Sequence, residues 1–358
     1  MPVSSCTMSD VARRAGVHAA TVSRALRNDP RITAKQREHV QRIATELGYR
    51  KNPLVAALMS ARRSRRAENL RATIAVLTHY PPHRAAFFRA EFGDLLASIK
   101  ARAHAQGYGI AEFNGHAPEL SSTRLSDILE HRGIRGVIVA PLHSIKERIE
   151  LDWSKFCTVA IGYSLMHVAV SRVSHNHFTG LALAARHIRA AGCQRLGLVL
   201  PRRVHEKVEK RWLAAFLLDQ SEHAPTDALP PLLTEERDEE QFRTWFAIHR
   251  PDAVLCLDPS PIQSWLTHLG RTGRQVALIS LDRRARDRTI AGIDQDYEHV
   301  GAVAADAVIG TLHRNEQGLP PKPVSLLLDG TWTAGASLPQ LDPAPKTGRG
   351  SKARAERK

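Results

Sequence analysis

Short apolar runs alternate with amphipathic stretches along most of the chain, from about residue 72 to residue 338. Runs such as TIAVLT and TVAIGY have the length and the β-branched content of buried strands, and the stretches between them carry apolar residues at helical spacing. The predicted strands are 73–78, 108–113, 135–140, 158–163, 195–200, 253–257, 276–280 and 324–328. The predicted helices are 87–106, 121–131, 178–191, 205–220, 238–249, 261–270 and 296–313.

This alternation predicts an α/β fold in which a parallel sheet has helices on both faces. So many strands favour two sheets of about five or six strands over one very wide sheet. We therefore expect two doubly wound α/β subdomains.

The first fifty residues follow a different pattern, which predicts three short helices. The first covers Asp10 to Ala15, and Gly16 ends it because glycine tolerates a positive φ. The second covers about Ala19 to Arg27, and the third runs from Thr33 or Ala34 to about Leu47. Their predicted inward positions are Val11, Ala12, Ala15, Val22, Leu26, Val40, Ile43, Ala44 and Leu47. Two helices of about eight residues joined by a tight turn with glycine indicate a helix-turn-helix.

The second of these helices has the side chains that reading DNA requires. The Arg24 guanidinium can fork onto O6 and N7 of guanine in the major groove. Ala19 and Ala20 are small and allow close approach, and the hydroxyls of Thr21 and Ser23 can bind phosphates. The alternative is that these are ordinary surface side chains.

The distribution of charge agrees with a module that binds a polyanion. The formal net charge is +15, and residues 1–70 contain 14 lysines and arginines against 5 aspartates and glutamates. The last nineteen residues are also basic, whereas the long middle of the chain is close to neutral. A basic head on a neutral body suggests a nucleic-acid-binding unit joined to a second functional unit.

The N-terminal fifty residues resemble the signature of the lactose-repressor (LacI/GalR) family of transcriptional regulators. The residues that carry the resemblance are Thr7, Asp10, Val11, Ala12, Ala15, Gly16, Val17, Thr21, Val22, Ser23, Arg24, Leu47, Gly48 and Tyr49. The resemblance implies a hinge helix after the head, which inserts a leucine wedge into the minor groove. Here Asn52 can cap that helix and Leu58 is the wedge, although Lys51, Val55 and Ala56 depart from the family pattern. The predicted DNA-binding residues are Thr7, His18, Ala19, Ala20, Thr21, Ser23, Arg24, Arg31, Asn52 and Leu58.

The resemblance also implies a body like a periplasmic sugar-binding protein, with two subdomains around an effector cleft. Three crossovers would join them, near 163–172, 280–290 and 318–324. Ligands in such folds lie at the carboxyl ends of strands. The predicted effector-binding residues are therefore His79, Tyr80, Asn176, Trp212, Asp258 and Asp282. Trp212 replaces a family arginine, and it either stacks on a sugar or fills a helix core.

The predicted organisation has four parts. Residues 1–52 form the helix-turn-helix DNA-binding domain and residues 53–71 the hinge helix and linker. Residues 72–338 form the effector-binding and dimerisation body, and residues 339–358 a basic disordered tail. No run of apolar residues is long enough to span a membrane, and the N-terminus lacks the apolar stretch of a signal peptide.

Enzyme and cofactor signatures are missing from the sequence, so we predict a protein that is not an enzyme and binds no cofactor or metal. The four dispersed cysteines favour a reduced, cytoplasmic setting. The predicted partners are a double-stranded DNA operator, a second copy of the chain and a small-molecule effector such as a sugar. Two alternatives remain open: a regulator whose cleft is degenerate and binds no ligand, and an enzyme or solute-binding protein built on the same body.

Overall fold

The computed structural model describes residues 8–26, 29, 31–47, 72–117, 122–235, 238–274, 276–284, 287 and 289–338. The predicted hinge, linker and C-terminal tail lie outside these residues. Among the described helices, none combines the length and the apolar character that crossing a bilayer would require.

Three helices form the head, which is the name used here for residues 8–47. They are α1 (Met8–Ala15), α2 (Ala19–Ala25) and α3 (Ala34–Glu46). Gly16 has a φ of +63° in the turn between α1 and α2, as its glycine identity predicts. Thr33 caps α3 by accepting a hydrogen bond from the Gln36 amide.

The head core contains most of the predicted inward side chains. Two leucines that were predicted to point inward are not buried in this core. Leu47 is 37% exposed and Leu26 is only partly buried, because α2 ends at Ala25 and α3 ends at Glu46. Ala25, which is fully buried, takes the inner position at the end of α2.

The first lobe is built on a six-stranded sheet with the order β11-β5-β4-β3-β1-β2. Its strands are β1 (Thr73–Thr78), β2 (Gly109–Asn114), β3 (Gly136–Val139), β4 (Cys157–Ile161), β5 (Ser171–His175) and β11 (Ser325–Leu328), all paired in parallel. Helices α4 (Ala85–Ala105) and α12 (Tyr297–Arg314) pack on one face, and α5 (Ser122–His131) lies on the other. Apolar cores on both faces confirm the doubly wound arrangement.

The second lobe repeats this architecture with the strand order β12-β10-β9-β8-β6-β7. Its strands are β6 (Leu196–Pro201), β7 (Leu232–Thr234), β8 (Ala253–Cys256), β9 (Ala277–Arg283), β10 (Ala291–Asp294) and β12 (Thr331–Thr333). Its helices are α6 (His177–Ala190), α7 (Arg202–Lys207), α8 (Arg211–His223), α9 (Glu239–His249), α10 (Pro259–His268) and α11 (Arg271–Arg274). Strand β12 alone runs antiparallel to its neighbour within the described sheet.

The chain passes between the lobes three times, and the predicted positions of these crossovers are wrong. The first crossover lies between β5 and α6, the second between β10 and α12, and the third between β11 and β12. Strands β5 and β10 are short and were not among the predicted strands. Because these two strands were missed, the first and second crossovers were predicted one strand too early.

Candidate nucleic-acid interface and effector cleft

Helix α2 separates its side chains into an inner and an outer face. Val22 and Ala25 are fully buried, whereas Ala20 and Arg24, four residues apart, are exposed. Residues at i and i+4 lie on the same face of a helix, so the arginine and the small residue before it point outward together. Gln41 donates from Nε2 to the Ala25 carbonyl at 3.1 Å, which ties the end of α2 to α3.

The start of α2 is capped by a predicted DNA-binding residue. His18 is exposed, and its Nδ1 accepts from the Ala20 amide at 3.5 Å. Ala19, Thr21 and Ser23 are partly buried along the same helix. Thus α2 brings five of the predicted DNA-binding residues together, with His18 at its cap.

Arg31 is engaged within the head. Its Nε and Nη2 donate to the two carboxylate oxygens of Asp29 at 2.9 and 2.7 Å. These hydrogen bonds lower the pKa of Asp29 well below its usual range. A phosphate that binds Arg31 would therefore have to compete with this fork. The other predicted DNA-binding residues, Thr7, Asn52 and Leu58, lie outside the described residues.

A continuous chain of aromatic rings runs from the first lobe to the second. Tyr80, which follows β1, contacts Phe88 at 4.2 Å between ring centroids, and Phe88 contacts Phe92 at 5.1 Å. Phe92 lies 5.9 Å from Tyr297, at the second crossover, and Tyr297 lies 4.7 Å from His175.

Beyond His175, at the end of β5, the chain of rings enters the second lobe. His177 lies 5.8 Å from His175 and 4.5 Å from Trp212 on α8. The rings thus line the region where the first two crossovers join the lobes.

An ion-pair network occupies the same region. Arg284 follows β9 in the second lobe, and its Nη2 lies 2.8 Å from Glu91 Oε1 on α4 and 3.0 Å from Asp282 Oδ2. The guanidinium stacks on the Tyr297 ring at 3.8 Å, and the Tyr297 hydroxyl donates to Asp282 at 3.0 Å. Arg284 therefore connects the two lobes through charge.

Several buried polar atoms of this region make no hydrogen bond within the described residues. They include Nδ1 of His175, Nδ1 of His177 and Oδ1 of Asp282. Burial, together with the charge of Arg284, lowers the pKa of His175 to about 3, and burial lowers the pKa of His177 strongly. Both imidazoles are therefore neutral near pH 7, and each has one donor and one acceptor nitrogen. Unpaired buried polar atoms are costly, so their clustering indicates a place where a polar ligand binds.

Comparison with known proteins assigns both parts of this architecture. Residues 7–52 match the family model described as bacterial regulatory proteins, lacI family, and residues 185–338 match the periplasmic binding protein-like domain. The chain thus joins a head that matches the lacI family model to a body that matches the periplasmic binding protein-like domain. The HTH-type transcriptional regulator GalS of Salmonella typhimurium is 29% identical over 220 residues, which cover 59% of each chain. The chain spans less than two thirds of the length of the curated relatives that it matches.

Solved structures of the LacI family show the same fold at low identity. The transcriptional regulator CelR in complex with cellobiose has a TM-score of 0.58 at 19% identity, covering 93% of this chain and 99% of CelR. The lac repressor dimer bound to operator and the anti-inducer ONPF has a TM-score of 0.56 at 18% identity, covering 94% of this chain and 100% of the repressor.

The predicted cleft residues of this protein fall into different environments. Tyr80, Trp212 and Asp282 belong to the ring chain and its ion-pair network. Trp212 is only 3% exposed and packs in the core of the second lobe, so its ring faces are not open for stacking on a sugar. Asn176 lies at the first crossover, where its Oδ1 caps α6 by accepting from the Thr179 amide. Asp258 is exposed and caps α10 by accepting from the Ser260 amide at 3.1 Å.

His79 lies in a separate group that the sequence analysis did not identify. Its Nδ1 is 2.7 Å from Glu147 Oε2, and its ring is 4.7 Å from the ring of His116. Burial, and then the charge of His116, lower the pKa of His79, while Glu147 opposes the shift. The sequence does show that His79 and His116 each closely follow a predicted strand, at 73–78 and 108–113. The third residue of the group, Glu147, is far from both along the chain, so its proximity could not be predicted.

The sequence also missed His175, His177, Glu91 and Arg284 as members of the cleft. The pair His175 and His177 is separated by one residue in the sequence, but the sequence analysis assigned it no role. Its location in the cleft follows from the position of the first crossover, which periodicity did not give. Arg284 could not be recognised because its partner Glu91 lies on a helix of the other lobe.

Proposed function

We propose that this protein is a sequence-specific DNA-binding transcriptional regulator, a repressor that acts in the cytoplasm. The observation that carries the proposal is the outer face of α2, where Ala20 and Arg24 are exposed above a buried Val22 and Ala25. A forked guanidinium beside a small residue suits guanine readout in the major groove. The match of residues 7–52 to the lacI family model and the relatives that are themselves HTH-type regulators support it. The boundaries 1–52, 53–71, 72–338 and 339–358 remain part of the proposal.

We further propose that the regulator binds a pseudo-palindromic operator as a homodimer, as in the lac repressor dimer structure. One small head offers few contacts, and linking two heads raises the affinity through their effective concentration. The predicted hinge helix and its wedge Leu58 belong to this model. Leu58→Ala should reduce operator bending, which can be measured by circular permutation of the operator in a gel-shift assay, and unchanged bending would exclude the wedge.

The test of DNA reading begins with selection of an operator from random duplexes by the full-length protein. Arg24→Ala should then weaken binding to that operator by about 1–3 kcal/mol and relax base preference at one position of each half-site. Arg42→Ala is the matched control, because Arg42 is an exposed arginine on α3 that pairs with Glu46 at 3.0 Å. If Arg24→Ala weakens operator and random DNA equally, Arg24 does not read bases.

We propose that a small polar molecule, a carbohydrate, binds between the lobes and controls operator affinity. The support is the set of unpaired buried atoms on His175, His177 and Asp282, which can exchange hydrogen bonds with hydroxyl groups. The complex of the structural relative CelR with cellobiose points to the same class of ligand. Because Arg284 and the crossovers join the lobes here, a ligand that favours one lobe arrangement would change the spacing of the two heads.

Calorimetry of the full-length protein against a carbohydrate panel tests the effector. For the sugar that binds, Asp282→Asn should lower affinity by roughly tenfold to a hundredfold, as expected for losing a hydrogen bond to a charged group. Asp258→Asn is the matched control, since asparagine preserves the helix cap. The absence of binding across the panel would favour the degenerate, ligand-free cleft, and equal losses in both variants would exclude the assignment of Asp282.

A further inference from the structure

Three metal-ligating side chains meet at the carboxyl edge of the first-lobe sheet. His79 directly follows β1, His116 lies two residues after β2, and Glu147 lies in the loop after β3. The sheet order places β1 between β3 and β2, so the ends of these parallel strands are neighbours. Each residue offers one ligand atom, and these atoms all lie within 4.8 Å of one another.

The backbone around these residues is held by the side chain of Asn114. Its Oδ1 accepts from the amides of Tyr80 and His116 at 3.3 and 3.1 Å, and its Nδ2 donates to the Tyr80 carbonyl at 3.0 Å. The Gly115 amide donates to the Thr78 carbonyl at 2.8 Å. A Cβ at Gly115 would lie 2.9 Å from Cδ2 of His79, so the missing side chain allows the His79 ring to pack there. The two loops therefore present both imidazoles from a fixed frame.

We propose that His79, His116 and Glu147 form a binding site for a divalent transition-metal ion of the Zn²⁺ class. Two imidazoles and one carboxylate are a ligand set typical of zinc, with a fourth position open for water or a ligand oxygen. Calcium and magnesium are disfavoured because they require oxygen ligands. The side chains of His79 and Glu147 are 14% and 22% exposed, so an ion can reach the site from solvent.

The observed spacing fits such an ion with small side-chain rotations. In tetrahedral zinc sites the ligand atoms are about 3.3 Å apart, as follows from metal–ligand bonds of about 2.0–2.1 Å. The 2.7 Å pair of His79 and Glu147 would open slightly, and the remaining distances would close by at most about 1.5 Å. A plain hydrogen-bonded pair would not explain why a second imidazole is placed against the first.

Elsewhere the protein contains a histidine–glutamate pair without a second imidazole beside it, which serves as a control. On the surface of the second lobe, His268 Nδ1 lies 2.8 Å from Glu239 Oε1, and no third ligand joins them among the described clusters. Replacing His268 therefore removes a histidine paired with a glutamate without touching the proposed site.

The test is equilibrium zinc binding by the full-length chain, measured in the wild type and in a Cys6→Ser background. The Cys6 replacement is needed because a cysteine thiolate is itself a zinc ligand and Cys6 lies outside the described residues. We expect one specific zinc ion per chain. We also expect His79→Gln, His116→Gln and Glu147→Gln each to weaken it at least tenfold, and His268→Gln to leave it unchanged. Cobalt(II) in place of zinc should give visible d–d bands that vanish in the His116 variant. Circular dichroism without metal verifies that each variant is folded.

Two results would overturn the proposal. One is wild-type protein that binds no more zinc than a variant in which His79, His116 and Glu147 are all replaced by glutamine. The other is folded single variants that bind zinc as tightly as the wild type, or no more weakly than the His268 control. The measurement needs no operator or effector, so its outcome is independent of the proposed regulatory function.

Discussion

Replacing His175 by glutamine should flatten the dependence of body stability on pH. In the folded protein the pKa of this buried imidazole is lowered to about 3, whereas an exposed histidine has a pKa of about 6.5. Above pH 6.5 the imidazole is neutral in both states and contributes no pH dependence. As pH falls below 6.5, the unfolded chain takes up a proton that the folded chain excludes until about pH 3. Folding therefore loses stability through this window.

The magnitude follows from the interval between the two pKa values. Each pH unit below the unfolded pKa costs about 1.4 kcal/mol, so His175 alone removes about 2 kcal/mol between pH 7 and pH 5. Groups away from His175 add their own dependence, which is common to the wild type and the variant, whereas the charge of His175 contributes to the lowered pKa of the neighbouring His177. His175→Gln keeps a polar side chain but removes the titration, so the difference between their pH profiles reports His175 together with its effect on His177.

Tryptophan fluorescence during urea unfolding gives a convenient assay at pH 7, 6 and 5. All five tryptophans lie between residues 153 and 332, so their signal reports the body and not the head. His104→Gln is the matched control, since His104 is an exposed histidine near the end of α4. From pH 7 to pH 5, the free energy of unfolding of the wild type should fall by about 2 kcal/mol more than that of the His175 variant.

A parallel pair of profiles for wild type and His175→Gln would refute this reasoning. It would mean that the folded body accepts a proton on His175 as readily as the unfolded chain does. The burial of the imidazole between Tyr297 and His177 would then not exclude water from the ring.

Three further changes test the packing of the second lobe by urea unfolding followed with circular dichroism. Trp212→Ala should cost about 3–5 kcal/mol because the ring is buried, and unchanged stability would contradict its core position. Asp219→Ala should cost about 3 kcal/mol because Arg189, whose Nη2 lies 2.6 Å from Asp219 Oδ2, is left buried without its carboxylate. The double variant with Arg189→Met should recover most of that loss, and no recovery would show that the charge pair is not the cause. Gly197→Ala should cost about 1–3 kcal/mol because its Cβ would lie 2.4 Å from Trp245 Cη2, and a neutral result would show that the ring can move aside.

The head and the long strands were determined by local sequence. Gly16 and Thr33 mark two of the helix boundaries through φ preference and capping, and both act over a few residues. The buried strands β1, β3, β4, β6, β8 and β9 were predicted within a few residues because continuous apolar runs reflect burial on both faces. For the same reason the division into two doubly wound lobes was predictable from the number of strands.

The short strands β5 and β10 were not predictable from the sequence, and the crossovers that come after them were therefore misplaced. SRVSH at β5 and AGID at β10 lack an apolar run, and they become strands because their backbones pair with neighbours already in the sheet. Strand formation of this kind depends on tertiary context more than on side-chain preference. This omission moved the first two predicted crossovers and hid the location of His175 and His177, whereas the third was predicted before β11 and lies after it.

The sequence by itself determined which residues are chemically able to read DNA, line a cleft or bind a metal, because those abilities belong to side chains. Only the tertiary structure decided which of them meet. It buried Trp212, turned Asp258 into a helix cap, and brought Glu91 to Arg284 and Glu147 to His79. Contacts between residues far apart in the chain are selected by the packing of whole helices and sheets, and no local periodicity records that choice.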